Sequence, residues 1–117
     1  SWKSKCYGNL GAAYRNLGNF KKAIEYYEKA LEIAIEIGDK FTEALIHLNI
    51  ALDFFDRDVE KAKDEAEKTK ALIKEIGIED YPSGRKLISS AEKIMAGNLD
   101  KEEKEEIGEY ISKLMLR

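Results

Sequence analysis

The chain has 117 residues, 44% of them apolar and 37% charged, with one proline and one cysteine. That composition fits a single domain of helices with one wet face. It excludes a disordered tail, a disulfide framework within the chain and a zinc site built on several cysteines. Acidic residues outnumber basic ones 23 to 20, for a net charge of −3, which argues against nucleic acid as a partner. No apolar run approaches the ~20 residues that cross a bilayer, so no membrane partner is expected. No signal-peptide pattern opens the chain, so the expected location is cytoplasmic. An initial Ser1 in place of methionine points to a processed product or a piece of a longer protein.

Glycines divide the chain into six predicted helices. The first, 3–17, ends at Gly18, and Asn19 then caps a second over 20–37. Phe20, Ala23, Tyr27, Ala30 and Ala34 form its apolar stripe, which stops at Gly38. Asp39 precedes the third helix, 41–55, where Phe41, Leu45, Leu48, Leu52 and Phe55 repeat in steps of three and four. Ile46, Ile50 and Phe54 widen that stripe, so this helix is expected in the middle, packed on two sides. Asp58 caps the fourth, 59–76, a mostly wet helix with Val59, Ala62, Ala66, Thr69, Ile73 and Ile76 facing inward. Pro82 suits the first turn of the fifth, 82–96, which Gly97 closes. Asp100 with Glu103 reads as a capping box for the sixth, 101–116, carried by Ile107, Tyr110, Ile111 and Leu114. Nothing alternates with period two over a useful length, so the expected fold is all-α.

The first pair carries a motif. Tyr7, Leu10, Gly11, Tyr14, Gly18, Ala23, Tyr27 and Ala30 fall in the order and spacing of a tetratricopeptide repeat, and residues 4–38 resemble that family, in a longer variant of the repeat. Gly11 and Ala23 remove bulk where two helices cross, and Tyr14 and Tyr27 are expected to fill the space beside them. Residues 41–77 read as a degenerate copy, with Ala62 standing 39 residues after Ala23. Residues 81–117 read as a divergent repeat or a capping pair. The polar run from Glu102 to Glu106 favours capping, since terminal repeats carry a wet outer face. The resemblance implies a single domain, a right-handed solenoid of antiparallel hairpins, and a non-catalytic scaffold that binds a partner's peptide or helix in its concave groove.

Catalysis and cofactors find little support. His47 is the one histidine, Cys6 lies far from it in sequence, and the carboxylates spread over solvated helix faces. Gly8, Gly11 and Gly18 lack the strand and the Gly-Lys-Ser/Thr ending of a phosphate loop. No enzyme activity, metal or cofactor is expected. Binding has better candidates: Lys5, Asn9, Ala12 and Asn16 recur every three or four residues on one face, with Arg15 beside it. Asn9 stands where members of the resembling family often carry an amide that bonds a ligand's main chain. His47 and Arg85 extend the candidate groove, with Glu43, Phe54 and Lys86 near them. Lys5, Arg15, Arg85 and Lys86 favour an acidic peptide or a terminal carboxylate. Trp2 either packs on its own hairpin or marks an apolar N-terminal end open to self-association. Two other roles stay open: an oligomerising segment, and a regulatory domain of a larger signalling or transcription protein.

Overall fold

A computed structural model describes residues 2–116. Among the described residues the elements are α1 (Trp2–Asn16), α2 (Phe20–Ile37), α3 (Lys40–Phe54), α4 (Val59–Glu75), α5 (Pro82–Met95) and α6 (Lys101–Met115), with no strand. Each predicted helix is present, and each end falls within one residue of its expected place.

The ends are set by side-chain caps and left-handed glycines. Asn19, Asp39, Asp58 and Asp100 accept from the backbone amides of Lys22, Thr42, Lys61 and Glu103, each satisfying an amide with no partner inside its own helix. Glu103 returns the bond to the Asp100 amide and completes the capping box. Gly18 and Gly38 stand at φ 79° and 74°, where a side chain would be strained. After each, the next amide reaches back to close the last turn: Asn19 to the Tyr14 carbonyl and Asp39 to that of Ala34. Tyr81 makes no side-chain cap, and Pro82, which has no amide hydrogen to satisfy, opens α5 instead.

The helices pack as antiparallel hairpins. α1 pairs with α2 and α3 with α4, α2 lies on α3, and α4 lies on α5. Every residue from Ala44 to Asp53 is buried, so α3 is enclosed by neighbours, as its two-sided apolar pattern predicts. At the first crossing a Cβ on Gly11 would stand 2.5 Å from the Tyr27 ring, and Ala23 and Tyr27 are wholly buried. Tyr14 is partly buried against the core and stacks on Tyr26, ring centres 5.4 Å apart and planes 2° apart, with Tyr7 on the same ring at 6.0 Å. A half-buried tyrosine keeps its hydroxyl near water while its ring face is covered, which is the cheaper arrangement for an amphipathic ring.

α6 does not lie down beside α5 as a further repeat would. It turns back across α3 and α1 and closes the assembly into dimensions of 29 × 28 × 23 Å. Ile107, Ile111, Leu114 and Met115 are buried by this return, each worth roughly 1.5–3 kcal/mol when fully taken from water. Its outer edge reaches α5 through long side chains, with Lys93 Nζ 2.7 Å from Glu103 Oε2 and Lys86 over the Tyr110 ring. No helix among the described residues is long and apolar enough to cross a membrane.

Candidate binding groove

α1 and α3 lie next to each other as the first helices of their hairpins, and α6 is seated on both. Small residues make the approach possible. A Cβ on Gly8 would overlap Met115 Cε, and one on Gly108 would stand 2.9 Å from Arg15 Nη2. A chain of polar side chains then ties four helices together. Arg15 in α1 donates through Nη1 to the Tyr27 hydroxyl of α2 at 3.0 Å and to Asn49 Oδ1 of α3 at 2.9 Å. Asn49 in turn directs Nδ2 at the Met115 sulfur of α6, 3.9 Å away, a weak acceptor contact. Burial pushes the Tyr27 hydroxyl well above its ordinary pKa against the pull of Arg15, so it stays protonated and accepts from the guanidinium.

α6 covers part of the α1–α3 face and leaves a cleft of about 960 Å³ at its edge. Arg15 and Asn16 from α1, Leu52 and Asp53 from α3, and Gly108 and Ser112 from α6 are among its walls. Asp53 is 7% exposed, and its Oδ2 is buried without a hydrogen-bond partner among the described residues. Burial raises its carboxyl to about 6, although Arg15, Arg57 and Lys104 all pull the other way. None of those cations makes a bond to Oδ2. Arg15 Nη1 is engaged by Tyr27 and Asn49, Arg57 stacks 4.2 Å above the Phe20 ring, and Lys104 pairs with Asp56.

The residues singled out from the sequence divide between this cleft and other places. Arg15 and Asn16 line it. Lys5 and Asn9 are half-buried further along α1; burial would raise the Asp39 carboxyl, but the Thr42 hydrogen bonds, helped by the Lys5 charge, hold it below its ordinary range. Ala12 is buried and offers a ligand no surface. Arg85 is exposed on α5 and folds onto the Asp80 carbonyl. His47 is 6% exposed and does not face an open groove. Its Nδ1 lies 2.9 Å from Glu65 Oε1 of α4, and Lys68 donates to the other oxygen at 2.9 Å. Burial would raise the Glu65 carboxyl, but these two hydrogen bonds outweigh it and hold the group below its ordinary pKa. Sequence spacing placed His47 toward a ligand because it shows which residues share a face, not which neighbour covers that face. Asp53 and Asn49 were missed. Their signal was present: two polar residues inside the apolar stripe of the helix read as central.

Trp2 is 74% exposed, so it is not a core side chain of its hairpin. Among the described residues no group of three or more histidine, cysteine, aspartate or glutamate side chains is placed to hold a metal ion.

These features define an all-α array of helix hairpins closed by a returning helix. Residues 4–34 match the family model for the tetratricopeptide repeat. The match covers the first hairpin, which carries the tetratricopeptide pattern over about a quarter of the chain. Repeats of this family generally mediate protein–protein interaction. No curated protein and no solved structure matches the chain.

Proposed function

We propose that the chain is a non-catalytic interaction module that holds a peptide or helix of a partner protein in the cleft beside α6. The observation that carries this reading is α6 itself, since the α1–α3 face already receives a helix over Gly8 and the Arg15–Asn49 pair. The cleft continues that face, with Asn16 able to donate and accept on its rim. Residues 41–77 then act as a second, degenerate hairpin, and α5 with α6 as the closing pair. Lys5 and Asn9 extend the docking line along α1. Arg15 acts through the fold, because its guanidinium is already bonded. The walls carry charges of both signs, Arg57, Lys101 and Lys113 beside Asp56, Glu105 and Glu109, so acidic residues of a segment would be favoured at the three cations and basic ones at the carboxylates.

Calorimetry on segments selected from a peptide array tests the site. Asn16→Ala combined with Lys113→Glu is expected to weaken a bound segment about tenfold or more. A segment indifferent to those changes, but lost when Tyr14 or Tyr26 is replaced, would move binding to the opposite side of the first hairpin. A second reading draws on Trp2, Leu10 and Leu17, which leave apolar surface exposed on α1 and just beyond it. It makes that end a contact between two copies. Sedimentation over a concentration series separates the two, since only self-association gives a dimer weakened by Trp2→Ser with Leu17→Ser.

A further inference from the structure

The cleft beside α6 holds an acceptor that the fold itself leaves unanswered. Asp53 is buried on α3, lines the cleft, and has an oxygen with no partner among the described residues. Leaving a buried acceptor unpaired is costly, and more so for a carboxylate. Three cations stand close enough to act on it through space, so the region is not short of positive charge. It is short of a donor pointed at Asp53. Arg15 directs Nη1 at Tyr27 and Asn49, Arg57 lies over the Phe20 ring, and Lys104 pairs with Asp56, so none of the three donates to Asp53 Oδ2 in this arrangement.

We propose that Asp53 anchors a lysine or arginine side chain presented by a segment of a partner protein, with the cleft as its receptor. The inference rests on the interaction reading above and names the residue type that reading leaves open. A neutral donor such as a hydroxyl would fill the hydrogen bond and leave the buried negative charge uncompensated. An ammonium or guanidinium supplies both, as a charge-assisted bond. Leu52, at the same wall, and Leu116, at the rim, give the aliphatic stem of such a side chain an apolar surface to lie on. The cleft, at about 960 Å³, is far larger than one ammonium, so a whole segment rather than a small ion fits the space. Acidic residues flanking the anchor in the same segment would pair with Lys101 and Lys113 at the two ends of the α6 wall, clear of Glu105 and Glu109 between them, so the probe is one basic residue with acidic flanks.

The test uses the full chain and four acetylated, amidated peptides of one acidic frame, with arginine, lysine, norleucine or glutamate at the centre. Binding is followed through the Asp53 side-chain carboxyl resonance and the amides of Gly108 and Ser112. The arginine and lysine peptides are expected to shift these signals, and Asp53→Asn is expected to weaken both about tenfold or more. That variant keeps the shape and removes a buried charge, so it folds. Equal binding of the norleucine peptide, or no change on Asp53→Asn, overturns the anchor and leaves the interaction site standing. Equal affinity for n-butylguanidinium alone overturns the partner segment in favour of a small-amine site. No shift with any peptide at millimolar concentration overturns the cleft as a site altogether.

Discussion

Arg15 donates to Asn49 Oδ1 at 2.9 Å and to the Tyr27 hydroxyl at 3.0 Å, so a single guanidinium joins α1, α2 and α3 where α6 closes over them. An arginine spread over two neutral acceptors is held by geometry more than by charge pairing, and its planar fork suits that task. Arg15→Ala is expected to cost about 2–3 kcal/mol, since it leaves two buried acceptors without their donor. In a double-mutant cycle with Asn49→Ala, the coupling should be about 1–2 kcal/mol by urea denaturation. Coupling near zero would mean that α1 and α3 are held by apolar contact alone.

Asp53 makes a prediction of opposite sign. Its folded pKa, about 6, lies above the ordinary carboxylate value, so the folded chain holds that proton more tightly than the unfolded one. Its ionisation therefore destabilises the fold, and the penalty grows as pH rises from the ordinary carboxylate value through about 6. Asp53→Asn removes the penalty and should stabilise the protein by about 1–3 kcal/mol at neutral pH, with the gain vanishing toward pH ~4. Paired urea melts of the two proteins across that range check it. A destabilised variant would mean that the carboxylate is compensated within the fold.

The caps and the Gly11 crossing were legible because they depend on residues within a few positions of one another. Asn19, Asp39, Asp58 and Asp100 could act only at a nearby helix start, and a glycine at the end of an apolar stripe has few other uses. The return of α6 was not legible. Its own stripe of Ile107, Ile111 and Leu114 would suit packing on α5 equally well, and periodicity does not name the helix on the other side. The candidate groove inherited that gap. Arg15 and Asn16 do line the cleft, but with α6 unplaced nothing in the sequence said that the guanidinium would bond Tyr27 and Asn49. His47 went astray for the same reason, because Glu65 lies 18 residues away on a helix that reads as mostly wet.

His47 and Glu65 form an internal pair whose loss should be felt in folding. Glu65 is held below its ordinary pKa, so the stabilisation from its ionised form is present above that ordinary value. It is lost as pH falls through the lowered one. His47→Ala is expected to cost about 1–3 kcal/mol near neutrality, by leaving a buried carboxylate with Lys68 as its remaining donor. The cost should shrink in acid, once pH falls below that lowered value and Glu65 is protonated. Denaturation at the two pH values measures this, and calorimetry with a cleft-binding segment should find its affinity unchanged. A weaker affinity with an unaltered melt would return His47 to the groove.

Gly8 and Gly11 sit one turn apart in α1 and face different neighbours, so the same substitution should fail in two different ways. Gly11 meets the Tyr27 ring, which is wholly buried and fixed by its bond to Arg15. Gly11→Leu therefore overpacks the first crossing and should cost roughly 1–3 kcal/mol of global stability, lowering protection of α1 and α2 together. Gly8 meets the terminal methyl of Met115, at the end of a flexible side chain near the end of the chain. Gly8→Leu should leave the α1–α2 hairpin intact and loosen α6 alone, read as faster amide exchange from Ile107 to Met115 with little change in α2. Met115→Ala, which makes room for the new side chain, should restore part of that protection. If Gly8→Leu instead unfolds the whole chain at once, α6 is a member of the cooperative core and not a closing helix laid over a finished pair of hairpins.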